Sequence, residues 1–195
     1  MNYGNIKYCD IADGEGVRTT LFVSGCTHHC KNCFQPQTWD FDFGEEFTPE
    51  VEEGIIKSLG PAYIDGLTIL GGEPMEPANQ HALAPFLARV KERHPQKSIW
   101  VYTGDLYEDI INPESSRHTS ATDALLSCVD VLVDGPFQEE RKDITLRFRG
   151  SSNQRIIDMN ATRKNGSLTL WVDKPVYSTH SFEQPQNLRG QVKPR

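Results

Sequence analysis

Cys26, Cys30 and Cys33 sit at C-x3-C-x2-C spacing in the segment Gly25-Cys26-Thr27-His28-His29-Cys30-Lys31-Asn32-Cys33-Phe34, with no fourth cysteine near them in sequence. Thiolates are soft ligands for iron and zinc, and a cubane iron–sulfur cluster presents four irons that four cysteines usually ligate. Three local ligands leave one iron open to something that is not protein. An open coordination position is what separates a reactive metal site from a structural one. The same thiols could instead close a tetrahedral zinc site, with His28, His29, Cys9 or Cys128 as the fourth ligand. Zinc ribbons and fingers usually pair two short ligand hairpins, however, and this chain has one cluster. Adjacent His28 and His29 in a tight loop seldom aim at one ion and read as solvated.

A second motif, Gly71-Gly72-Glu73-Pro74, directly follows the apolar run Gly66-Leu67-Thr68-Ile69-Leu70. Gly-Gly and Glu-Pro punctuate many strand-ending turns. In the functional reading, two residues without Cβ let backbone groups approach a ligand closely, and Glu73 is set to receive its amine. Thr103 and Asp134 close two further apolar runs, where capping and ligand contact are both open to them. Arg18 reads as a loop-holding residue. Cys128 reads as a small buried hydrophobe, and Trp39, Trp100 and Trp171 as core or interface residues.

The elements that must position these groups alternate. Residues 17–24 (VRTTLFVS) read as a strand running into the cysteine loop. Thr48-Pro49-Glu50 is an N-cap followed by Pro at the first helical position, with Val51, Ile55, Ile56 and Leu59 on one face until Gly60-Pro61. After the strand at 66–70, a helix carries Leu83, Phe86, Leu87 and Val90 and ends before Pro95; Pro85 must fall in its first turn or break it. A strand at 98–102, a short helix at 105–111, a polar mobile loop at 112–119, a helix through Ala124, Leu125 and Cys128, and strands at 129–133 and 155–158 complete the pattern. Buried strands alternating with amphipathic helices indicate an α/β fold with a parallel sheet, which binds ligands at the carboxyl ends of its strands. Both motifs occupy that edge. Residues 178–195 are polar and Pro/Gln-rich, an expected disordered tail.

A chain of 195 residues accommodates one well-buried core. Its 37% hydrophobic content includes no apolar run approaching the ~20 residues that span a bilayer. The N-terminus shows no basic segment leading into an apolar one, so secretion is not expected. Five cysteines, an odd number with three together, do not suggest a disulfide framework; reduced thiols in a cytoplasmic protein are expected. The net charge of -7 argues against a general nucleic-acid binder. A local basic cluster, Arg141, Lys142, Arg147, Arg149 and Arg155, reads either as solvated surface or as a docking face for an acidic partner or an anionic ligand.

Together the cysteine and glycine motifs resemble the radical S-adenosylmethionine (SAM) superfamily. Asp13-Gly14-Glu15-Gly16-Val17-Arg18 leading into Leu21-Phe22-Val23-Ser24-Gly25-Cys26 resembles the entry segment of glycyl-radical-enzyme activases. Residues 100–104, 130–137 and 149–155 (WVYTG, DVLVDGPF, RGSSNQR) are similar to activating proteins of anaerobic ribonucleotide reductase. The likeness runs from about residue 8 to residue 158. It implies a partial, open (βα) barrel with a mainly parallel sheet, forming a single domain over residues 1–158, with 159–195 as a partly disordered extension. It further implies a [4Fe–4S] cluster on Cys26, Cys30 and Cys33, with SAM chelating the fourth iron. Gly71, Gly72, Glu73, Thr103 and Asp134 would contact SAM. Many members carry an aromatic residue before the third cysteine. Here Asn32 stands there, and the backbone of residues 32–34 with the Phe34 ring is expected to substitute. The implied partners are the large glycyl-radical subunit of the reductase and an electron donor such as flavodoxin or ferredoxin. Alternatives are a pyruvate formate-lyase-type target, a small-molecule substrate, or a zinc-stabilised interaction module without activity.

Overall fold

In the computed structural model, which describes residues 1–172, the chain opens with β1 (Asn2–Asp10) and turns back into β2 (Arg18–Val23). A turn of 3-10 helix (Pro36–Trp39) and a two-residue strand, β3 (Glu45–Glu46), lead to α1 (Pro49–Ser58). Four further units follow: β4 (Gly66–Gly71) with α2 (Pro77–Arg93), β5 (Ser98–Tyr102) with α3 (Tyr107–Ile111) and α4 (Thr122–Cys128), β6 (Val131–Asp134), and β7 (Arg155–Asp158) with α5 (Met159–Asn165). The expected disorder of residues 178–195 lies outside the described residues.

The strands form one open, mixed seven-stranded sheet in the order β3-β1-β2-β4-β5-β6-β7. The four central strands, β2, β4, β5 and β6, run parallel. The outer pairings, β1 with β2 and β3 and β6 with β7, are antiparallel. One face carries Leu21, Leu67, Ile69, Ile99, Val101 and Leu132 against Ile55 and Ile56 of α1, Phe86, Leu87 and Val90 of α2, and Leu125 of α4, all buried. The opposite face carries Trp100, Val131, Val133 and Ile156, with Phe148 and Trp171 packed on them. The chain continues past Asp158 into both faces: Met159 is buried in the helical core, and on the opposite face the Trp171 and Trp100 rings meet edge to face with centroids 5.5 Å apart.

Thr48 caps α1 by accepting from the Val51 N–H (3.5 Å), with Pro49 behind it, as the sequence indicates. The expectation for Pro85 needs correction. Helix α2 begins eight residues before it, so Pro85 lies in its interior without breaking it. Pro85 and His81, the residue whose carbonyl loses its i+4 donor, both lie on the exposed face, where water can replace the bond. Arg18 is 1% exposed and spans the amino ends of the parallel strands. It donates to Thr68 Oγ1 (2.6 Å), the Leu67 and Ser98 carbonyls (2.8 Å each), Ser98 Oγ (2.9 Å) and the Glu15 carbonyl (3.0 Å).

Asp13 sits half-buried near this floor, and its carboxyl is pushed up to about 6 by burial and by the neighbouring Asp10 carboxyl. Asp10 itself accepts from Thr20 Oγ1 (2.8 Å), and Lys7 opposes the shift weakly. A raised acid pKa means that the fold favours the neutral form. Stability is therefore lost as pH rises from about 4 through about 6. Asp13→Asn, which mimics the neutral carboxyl, is expected to gain about 1 kcal/mol at pH 8 after allowing for solvent screening, about 2–4 °C in melting temperature, and nothing at pH 4. Equal shifts at both pH values in thermal melts would refute this account.

Candidate active site

The carboxyl ends of β2, β4 and β5 surround a cavity of about 530 Å³, lined by Cys26, Cys30 and Cys33 together with Gly71, Gly72, Glu73 and Thr103. Its wall is completed by Asp13, Tyr102, Phe137, Phe148, Arg149 and Gln154. β2 delivers Cys26 through Gly25, whose N–H donates to the Thr38 carbonyl (2.8 Å) and whose φ is 90°. Two non-glycine residues in the left-handed region, His29 (φ 49°) and Asn32 (φ 62°), curl the cysteine loop over the cavity. Cys26 is buried, while Cys30 and Cys33 are half-buried. Burial pushes the Cys26 thiol up to about 11, although the His28 and His29 backbone N–H groups turn toward its sulfur and oppose this. A bound metal ion would offset that burial and favour the thiolate. Three thiols lining one cavity, with donors aimed at the innermost, fit a thiolate-bound cluster.

The double glycine serves the chain's own packing as well as the cavity. Gly71 has φ +114°, and a Cβ there would stand 2.7 Å from both the Val23 N and O. A Cβ on Gly72 would stand 2.6 Å from the Gly25 O. The close approach lets the Gly72 N–H donate to the Val23 carbonyl (2.7 Å) and the Glu73 N–H to the Gly25 carbonyl (2.8 Å). These bonds bind the glycine motif to the cysteine loop.

Glu73 is 1% exposed, and its carboxylate already has internal partners. Oε1 accepts from the Met75 N–H (2.8 Å), Oε2 accepts from the Gly104 N–H (2.7 Å), and His28 Nε2 lies 3.1 Å from Oε2. His28 is therefore no solvated loop residue. It bridges Glu73 and Asp105 (3.4 Å to Oδ1), and Asp105 first and Glu73 second raise its pKa to about 10, so the ring is charged. Among the described residues, His28, Glu73 and Asp105 are the one set of metal-ligand atoms within 4.8 Å of one another. A charged imidazole between two carboxylates makes this an ion-pair network.

Thr103 lines the cavity but spends Oγ1 accepting from the Asp105 N–H (3.1 Å) and its own N–H on the Val133 carbonyl (2.9 Å). Phe34 is 90% exposed at the rim, beside exposed Asn32. Asp134 corrects the expectation of a ligand contact: it is 0% exposed, and beyond that strand it is Gly135 and Phe137 that reach the lining. Its carboxylate accepts from the Tyr107 N–H (2.8 Å) and from Arg155 Nε (2.9 Å), and Arg155 also grips Glu108 at 2.9 and 2.6 Å. The carboxylate is consumed in joining β6, β7 and α3. Asp134→Asn is expected to cost about 2–3 kcal/mol, lowering the melting temperature by about 5–10 °C, while leaving metal content unchanged. Thermal melts beside iron analysis would check this, and loss of metal without loss of stability would contradict it.

Several wall residues carry no chemical signature of their own. Asp13, Arg149 and Gln154 belong to segments marked only by family likeness, and the aromatic lining of Tyr102, Phe137 and Phe148 reads as core. Of the basic cluster, Arg149 turns inward to the Gln154 carbonyl (2.7 Å), Arg155 to Asp134, and Arg147 lies over the Phe148 ring (4.7 Å). Cys9 is exposed, and Cys128 is half-buried against the helical core. Among the described residues, no helix is long and apolar enough to cross a membrane.

Residues 12–157 match the family described as a 4Fe-4S single cluster domain. The chain is 42% identical over 158 residues to the anaerobic ribonucleoside-triphosphate reductase-activating protein of Haemophilus influenzae, an alignment spanning 80% of this chain and 97% of that protein. The protein of the same name from Enterobacteria phage T4 is 38% identical over 156 residues, spanning 80% and 93%. That from Escherichia coli K12 is 37% identical over 156 residues, spanning 79% and 96%. With a thiol-lined cavity at the carboxyl edge of the sheet and relatives matched along nearly their whole length, the chain belongs to the family of anaerobic ribonucleoside-triphosphate reductase-activating proteins.

Proposed function

We propose that this protein is a SAM-dependent activase that generates a glycyl radical on the catalytic subunit of anaerobic ribonucleotide reductase. The observation that carries the reading is that all three cysteines line one cavity, which the glycine motif at the end of β4 lines with them. A volume of about 530 Å³ falls in the range of small-molecule sites, ~300–1,000 Å³. In this reading the open sheet is a partial (βα) barrel of the radical SAM type, residues 1–158 carry the catalytic machinery, and the protein works in the cytoplasm with flavodoxin or ferredoxin as electron donor.

Cys26, Cys30 and Cys33 would hold three irons of a [4Fe–4S] cluster. A cluster held there would supply, from the electron donor, the one low-potential electron that reductive cleavage of the SAM carbon–sulfur bond to methionine and a 5′-deoxyadenosyl radical needs. That radical would take the hydrogen atom from a glycine Cα of the partner, with 5′-deoxyadenosine as the by-product. The main chain at Gly71 and Gly72 meets the ligand's amine. Glu73 acts behind it, fixing Gly104 and His28, with Thr103 closing that side. The Phe34 ring and the backbone at Asn32 cover the adenine. Tyr102, Phe137 and Phe148 keep the interior dry, which protects a reactive radical from side reactions.

Anaerobic reconstitution tests the reading. About four irons and four sulfides per chain are expected, with release of 5′-deoxyadenosine on reduction with SAM. An electron paramagnetic resonance glycyl doublet should follow once the reductase subunit is added. A protein that binds one zinc and no iron, or that leaves SAM intact, would overturn it. A doublet only with a pyruvate formate-lyase-type partner would reassign the target.

A further inference from the structure

The segment at 112–119, which the sequence presents as a polar mobile loop, is tied to the cysteine loop through Arg117. Arg117 is 16% exposed at its side chain, and three partners from three different elements converge on it. Its Nη1 pairs with Glu76 Oε2 (2.7 Å) at the start of α2. Its Nη2 donates to Thr27 Oγ1 (3.0 Å), and its Nε donates to Asp105 Oδ1 (3.1 Å) at the end of β5. Behind it, the Arg117 carbonyl accepts from Gln80 Nε2 (2.7 Å), so the residue is held from its backbone as well.

Both carboxylates pass the contact on to the cysteine loop. Glu76 Oε1 accepts from the Thr27 N–H (2.8 Å) and from Thr27 Oγ1 (2.6 Å), at the peptide that follows Cys26. Asp105 pairs with His28, and His28 with Glu73, midway between Cys26 and Cys30. Among these groups Arg117 is the one that touches both routes. A planar guanidinium can serve three acceptors at fixed angles, which an ammonium cannot. Without it, Glu76 and Asp105 would be two partly buried carboxylates facing each other across the loop.

We propose that Arg117 is a positioning residue for the cysteine loop, locking Thr27 and His28 so that the three thiols retain the geometry that holds the cluster. The proposal rests on the cluster-binding reading above. Groups that orient metal ligands from behind typically contribute ~10–100-fold to metal retention.

The test uses reconstituted holoprotein under strict anaerobiosis. Iron loss to a ferrous chelator is followed for wild type, Arg117→Gln, Arg117→Lys, Thr27→Val and Asp134→Asn, and melting temperatures are taken for each metal-free protein. Arg117→Gln is expected to lose iron about 10-fold faster and, with Glu76 stripped of a buried partner, to melt about 5–10 °C below wild type when metal-free. Asp134→Asn, destabilised to a like extent away from the loop, should lose iron at the wild-type rate. Arg117→Lys should recover part of the difference, because charge survives and the three-point fork does not. Thr27→Val, a change at an exposed position, should accelerate loss a few-fold by removing one anchor, and it keeps the test available if Arg117→Gln does not fold. Iron retention equal to wild type in Arg117→Gln and Thr27→Val overturns the proposal alone. So does faster loss that Asp134→Asn shares. A wild-type protein that takes up no four-iron cluster overturns the cluster reading, and this proposal with it.

Discussion

Cys30→Ala is expected to fold, to take up less than the full complement of four irons, and to release 5′-deoxyadenosine at least ~100-fold more slowly than wild type. The floor on that figure comes from ligand geometry: outer residues that merely orient ligands account for ~10–100-fold in affinity or activity, and removing a ligand exceeds them. No neighbour can take its place. His28 Nε2 lies 3.1 Å from Glu73 and 3.4 Å from Asp105, contacts that ligation through that nitrogen would forfeit. His29 packs on Trp39 with ring centroids 4.6 Å apart, and a switch to ligation would forfeit that contact. Cys9 lies in β1, and Cys128 packs against the helical core on the opposite face of the sheet. Cys128→Ala therefore serves as the control, with unchanged iron content and at most a small loss of stability. Iron and sulfide analysis with product chromatography decides the matter. A Cys30→Ala protein that keeps four irons and the wild-type rate would remove this residue from the ligand set.

The parts that could be read from sequence share a physical cause. β2, β4, β5 and β6 are legible because strands covered on both faces need apolar, β-branched runs, and six of six residues in β2 are buried. β1 escapes that reading. It is mostly exposed, and its register shifts between Tyr3 and Asn5 and again between Lys7 and Asp10, so no clean alternation survives. The cysteines are legible because ligand spacing within one loop is local chemistry. Arg117 is not, since its contact with Thr27 joins residues 90 apart, and nothing local distinguishes it from other polar-loop arginines. Asp134 shows the opposite failure. A carboxylate at a strand's carboxyl end looks like a ligand contact, but its partner Arg155 arrives 21 residues later on an antiparallel strand. Strand-end position alone does not tell which way such a side chain is spent.

Gly71→Ala separates two reasons for the glycine motif. If the missing Cβ mattered only for ligand approach, the metal-free protein would tolerate a methyl group and only SAM binding would suffer. The geometry predicts otherwise. The new Cβ would lie 2.7 Å from the Val23 N and O and 2.8 Å from the Phe22 C, all backbone atoms that cannot rotate away. The residue would also have to hold φ near +114°, which L side chains rarely adopt. Relief requires β4 to withdraw from β2, which loosens the Gly72 to Val23 and Glu73 to Gly25 hydrogen bonds at its end. Overpacking together with a forbidden backbone angle is expected to cost about 3 kcal/mol or more, a fall of ~6–12 °C in melting temperature for a domain of this size. Gly54→Ala on α1, where a Cβ meets nothing within 4 Å, should instead gain ~0.5–1 kcal/mol from helix propensity. The deficit must appear in metal-free, SAM-free protein, because the clash is between the chain and itself. A Gly71→Ala protein that melts with wild type but binds SAM poorly would return the motif to a purely ligand-facing role.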